Sequence, residues 1–123
     1  MLRCALLAAA LVSPALAQVA RPFPADALRA ELQVLSAPEL LIAGKPARLA
    51  PGARIRGENN LLLLPGEMAG AKWLVHYTQE ADGLVKEVWV LNAAERANKL
   101  WPSTREQSAQ WRFDVATQTW SRP

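Results

Sequence analysis

His76 is the only histidine in the chain, and so the only side chain whose ordinary pKa suits proton transfer near neutral pH. A catalytic triad would need it beside a nucleophile, with an acid to orient it. Beyond the N-terminal leader the serines are Ser36, Ser103, Ser108 and Ser121. None stands on the strand-to-helix elbow that exposes a nucleophilic serine. Between Val75 and Tyr77, His76 reads first as an ordinary half-buried or surface strand residue. It becomes a candidate base only where a cleft joins it to a carboxylate.

Metal chemistry has little to work with. One histidine and one cysteine, Cys4, cannot build the four-ligand site of structural zinc. Glu80 and Asp82 share a turn, yet EADG lacks the alternating acids and distal glutamate of a calcium loop. No cofactor is expected.

Two features can serve recognition. Lys45, Arg48, Arg54 and Arg56 form the main basic cluster, and Arg54 and Arg56 share a face if ARIR is a strand. They suit an anion such as a lipid headgroup, a phosphate-bearing glycan or an acidic peptide, or they simply solvate a strand face. The five tryptophans are the second feature. Trp73 and Trp89 fall in an apolar hairpin, and Trp101, Trp111 and Trp120 in the C-terminal stretch. Exposed indoles stack on sugars or anchor protein partners, whereas buried ones give a small domain without disulfides its core. Arg54, Arg56, Trp73 and Trp89 are therefore the candidate ligand-binding residues.

The elements that must position them follow from the pattern. Residues 1–17 read as a signal peptide: a basic start, an apolar run from Cys4 to Val12, and Ala15-Leu16-Ala17 before Gln18. That run is too short for a transmembrane anchor. Cleavage after Ala17 removes the lone cysteine and leaves a little over a hundred residues, one small domain. Fourteen basic residues, Arg3 among them, face eleven acidic ones. So balanced a charge argues against a nucleic-acid partner.

Residues 18–27 read as an extended leader with two prolines. Leu28 to Val34 alternates with a period of two, as a half-buried strand does. Short apolar runs follow, punctuated by Ala43-Gly44, Pro51-Gly52 and Pro65-Gly66, each a turn signal. The clearest unit is the hairpin of KWLVHYTQ and LVKEVWVL. Ala81-Asp82-Gly83 suits a three-residue loop with glycine left-handed. That loop predicts Val75 opposite Trp89, whereas a two-residue loop places Trp89 beside His76. In either register both hairpin faces are apolar, so both need cover. The barrel interior is expected on one side. On the other, the C-terminal segment is expected to dock through Trp111, Phe113 and Trp120.

After the hairpin, Asn92 and Glu95 make a capping box for a helix from Ala93 to Leu100. Ser103 and Glu106 repeat the pattern, and the chain ends in a loop or loose hairpin. The expected class is mainly β: a small antiparallel barrel or rolled sheet over 28–91, with a short C-terminal helical segment over 92–123.

The runs GKPARLAPGARIRGENNLLLL, WLVHYTQEADGLVKEVWVL and WRFDVATQTW together resemble a group of small uncharacterised exported proteins of Gram-negative bacteria. More distantly, the order of strand, AGK turn, PGARI and long hairpin looks like the periplasmic bacterial OB-fold type of small β-barrel. Neither resemblance transfers a functional residue. The combined expectation is a non-enzymatic module of the periplasm, or secreted, binding an envelope protein or glycan. The alternative is a small envelope enzyme or enzyme inhibitor using His76 and acidic residues.

Overall fold

The computed structural model describes residues 21–123. The expected signal peptide and its cleavage point after Ala17 lie outside the described residues. Strand β1 (Leu28–Ser36) buries Leu28, Leu32 and Val34 and turns Arg29, Glu31 and Gln33 outward, as the period-two pattern requires. It pairs antiparallel with β2 (Glu39–Ile42), which turns back through Ala43-Gly44 into β3 (Lys45–Arg56). Both loop residues have positive φ, 51° and 77°, the twist that a two-residue hairpin loop requires.

Pro51-Gly52 does not end a strand. β3 runs through it for twelve residues, with a register shift between Leu49 and Arg54 and Gly52 at φ 78°. Proline supplies no ladder donor and glycine accepts the left-handed backbone, so the pair forms a bulge that bends the strand. The bend lets β3 change partners, from β2 at Glu39–Arg48 to β6 (Val85–Val90) at Leu49–Val85 and beyond.

The β3–β6 pairing is parallel, so the sheet is mixed where an all-antiparallel one was expected. β6 pairs with β5 (Lys72–Gln79), and β5 with β1. With β2 paired to both β1 and β3, strands β1, β2, β3, β6 and β5 close a hydrogen-bonded ring. A two-residue strand β4 (Leu62–Leu63) lies at the outer edge of β3, and a 3-10 turn, Pro65–Met68, leads from it to β5. Of the four-leucine run, only Leu62 and Leu63 join the sheet.

Helix α1 (Ala93–Ala97) carries the expected capping box: Glu95 N–H donates to Asn92 Oδ1, and Asn92 N–H to Glu95 Oε1, both at 3.0 Å. It stops at Asn98, short of Leu100. The next cap is Thr104, one residue beyond the expected Ser103. Its Oγ1 accepts from Gln107 N–H at 3.1 Å and opens α2 (Arg105–Gln110). Strands β7 (Arg112–Asp114) and β8 (Thr119–Ser121) form a separate hairpin.

Two apolar clusters result. The ring encloses Leu32, Leu40, Val75, Tyr77, Val85 and Val88 with their neighbours. Outside the ring, Trp89 and Leu91 are covered by Phe23, Ala27, Trp101 and Trp120. Residues 21–27 thus take part in the core beyond the 28–91 boundary expected for the domain.

Candidate functional site

The hairpin register decides where His76 and Trp89 sit. Glu80 N–H donates to Leu84 O at 2.8 Å and Gly83 has φ 91°, so the loop is the three-residue one. Between Thr78 and Gln79, however, the register shifts, because Lys86 is an extra residue in β6. Above that bulge Trp89 faces His76 and Val75 faces Val90. Val75 opposite Trp89, the expectation from the loop alone, is therefore corrected by one residue. His76 and Trp89 share the outer face, and Val75, Tyr77, Val88 and Val90 point into the ring.

On that outer face His76 is 1% exposed, not a surface residue. Trp101 stacks on it at a 4.0 Å centroid distance, and Phe23 meets it edge-on at 4.4 Å. Trp101 is itself anchored by its indole N–H, which donates to Ala27 O at 2.8 Å. Arg29, across the β1–β5 ladder, donates from Nε to His76 Nε2 at 3.0 Å and from its terminal nitrogens to Asn98 O and Glu95 O. Burial lowers the Arg29 pKa, against the raising effect of the Glu95 charge.

Arg21 completes the group. Its Nη2 meets Glu95 Oε1 at 2.7 Å, its Nε and backbone N–H both reach Oε2 at 2.9 Å, and it also donates to Gly57 O and Val90 O. Burial pushes the Glu95 carboxyl upward. The Arg21 bonds and the capping bond from Asn92 outweigh that and hold it below the usual carboxylate range.

Chemically this constellation is closed. The cavity touching His76, Glu95, Arg21 and Arg29 has a volume of about 10 Å³, room for roughly one water molecule at most. His76 Nε2 is occupied by an arginine donor, and its Nδ1 has no partner among the described residues. Among those residues no serine bonds to His76. Ser103 Oγ lies against Gln107 and Ser108 Oγ against Ala25 O. Asp82 Oδ1 accepts Leu84 N–H within its own turn, and no three potential metal ligands converge among the described residues.

The four candidate binding residues separate. Trp89 is 8% exposed beneath Phe23, which leaves its indole little open surface. Trp73 is half-buried on the ring side, donates to Met68 O at 3.0 Å, and lines an open cleft of about 460 Å³ with Gly57, Leu63 and Val90. Arg54 is exposed and Arg56 half-exposed, two apart on β3 and on one face. Arg48 leaves the cluster, ion-paired at 3.3 Å with Glu39. Arg21 and Arg29, whose roles sequence reasoning missed, carried no signal beyond an isolated basic residue each.

Comparison with protein-family models, curated proteins and solved structures gives no match.

Proposed function

We propose that this chain is a non-enzymatic, exported binding module of the bacterial envelope that takes an anionic partner through Arg54 and Arg56. One observation carries the reading. Arg21, Arg29, Arg48, Arg96 and Arg105 each hold a carboxylate, a carbonyl or an imidazole nitrogen, while Arg112 and Arg122 stand apart at the C-terminal hairpin, Arg122 over the Trp111 ring. Arg54 and Arg56, side by side, hold no ion pair or hydrogen bond among the described residues. Two guanidinium groups with free donors on one strand face suit a phosphate or carboxylate.

The enclosed His76 favours a binder over an envelope enzyme, since a base needs substrate within hydrogen-bond reach. A glycan partner would have Trp73 as its stacking surface, in place of Trp89. The ring, with five strands in Greek-key order, supports reading the sheet as a small barrel of the OB-fold type. The likeness to small exported Gram-negative proteins supports a periplasmic or secreted location.

The test is reversal of Arg54 and Arg56 to Glu, with binding of soluble polyphosphate followed as salt is raised. Weaker binding and a flatter salt dependence are expected. Reversing Arg48 and Lys72, already ion-paired with Glu39 and Glu31, is the control. Equal loss in both variants would reduce the effect to net charge and sink the site.

A further inference from the structure

β4 lies at the end of the sheet and pairs only with β3, at Ile55–Leu63 and Arg56–Leu62. Antiparallel partners share a face, so Leu62 stands beside Arg56, with Arg54 two residues along on the same side. Leu63 turns inward against the ring core. Leu61, Leu62 and Leu64 keep 66%, 66% and 70% of their surface in solvent. The backbone holding them is tied down: Gly57 N–H donates to Leu61 O, Leu61 N–H to Asn59 Oδ1, and Leu64 N–H to Glu67 Oε2. Leu62 and Leu64, on one side of the extended segment, thus form a short ridge held out beside two free cations.

We infer that this ridge docks the protein onto an anionic lipid bilayer, with Leu62 and Leu64 entering the headgroup boundary and Arg54 and Arg56 binding lipid phosphates. The inference rests on the anion-binding reading above and adds the partner. Apolar side chains backed by basic ones are the combination that holds a protein at an anionic membrane surface. None of the nearby acids ion-pairs with either arginine. Glu58 is paired with Arg96 at 2.9 Å and Glu67 is engaged by Leu64 N–H. Glu87, across the ladder from Arg54, forms no ion pair with it.

Other occupants fit less well. β4 offers two residues of ladder, too few for a partner strand to add with useful affinity. A two-fold dimer through this face would set Arg54 and Arg56 against their own copies. A peptide anchor needs a groove, and the adjacent cleft is lined by Leu63 and Trp73 rather than by the projecting leucines.

The test is co-sedimentation with vesicles of phosphatidylethanolamine and phosphatidylglycerol, against vesicles of phosphatidylcholine alone. Wild type, Leu62→Ser/Leu64→Ser and Arg54→Glu/Arg56→Glu are compared as full chains. Residues 1–20 are common to all three, so differences report the ridge. Preferential binding to the anionic vesicles is expected, weakened about tenfold or more in each variant. The leucine variant should keep its salt dependence and the arginine variant lose it. Leucine-variant binding equal to wild type overturns bilayer docking. If polyphosphate binding still falls on arginine reversal, the anion reading survives that failure; if it does not, both fall. A wild-type dimer that the leucine variant dissolves, seen by sedimentation equilibrium, would assign the ridge to a second copy and also overturn the inference.

Discussion

Arg29 and His76 face each other across β1 and β5, and the Arg29 Nε–H donates to His76 Nε2 at 3.0 Å. That bond leaves Nε2 as an acceptor, so the neutral ring carries its proton on Nδ1. A second proton would abolish the acceptor and set a buried cation between arginines. Burial, then the Arg29 and Arg21 charges, push the His76 pKa down to about 2.

Acid should therefore unfold the protein through His76. The unfolded imidazole titrates near 6.5 and the folded one far below it. The stabilisation is complete above pH 6.5 and is lost as pH falls toward 2. The slope from one group is about 1.4 kcal/mol per pH unit, so pH 5 should cost about 2 kcal/mol relative to pH 7.5. His76→Gln should flatten this dependence between pH 6.5 and 5, above the range where Glu95, held low, adds its own acid loss. Urea midpoints at each pH check it, and an unchanged slope in the variant would reject the assignment.

Trp101→Ala should destabilise the domain by about 3–5 kcal/mol, the usual range for emptying a buried aromatic site. The indole bridges Ala27 O, the His76 ring and Phe113, so its loss frees residues 21–27 from the hairpin. A red shift in emission from Trp89 is the expected signature, with a lower melting temperature.

Breaking the Arg21–Glu95 pair from one side should cost about 3–5 kcal/mol, because the remaining charge stays buried. The Arg21 and Glu95 side chains are 11% and 1% exposed. Glu95→Leu tests this by chemical denaturation. Adding Arg21→Met should recover part of the loss, since no charge is then left unpaired. A double variant no better than the single would show that packing or the Asn92 cap, rather than the charge, dominates.

Gly83→Ala should lower stability by about 1–2 kcal/mol, the usual penalty for a side chain in left-handed backbone. At φ 91° the position is strained for alanine although nothing lies within 4 Å of the new Cβ. Unchanged thermal unfolding would mean that the loop relaxes into another turn.

The expectation of strands in this chain rested on purely local pattern. Leu28 to Val34 alternates, Ala43-Gly44 turns, Asn92 and Glu95 cap, and Asp82-Gly83 closes a three-residue loop, each by interactions within a few residues. The apolar character of both hairpin faces likewise announced two layers of cover. Only the tertiary structure decided which side chain goes to which layer. A single bulge at Lys86 reverses the face of Trp89 and puts it beside His76, because side-chain direction has a period of two. The bulge at Pro51-Gly52 hands β3 from β2 to β6 in parallel, a long-range pairing that no turn signal encodes. The Arg21–Glu95 and Arg29–His76 contacts join residues 74 and 47 apart in sequence. Burial turns those ordinary side chains into the polar frame beneath the aromatic layer, and that frame exists only once the chain has closed around it.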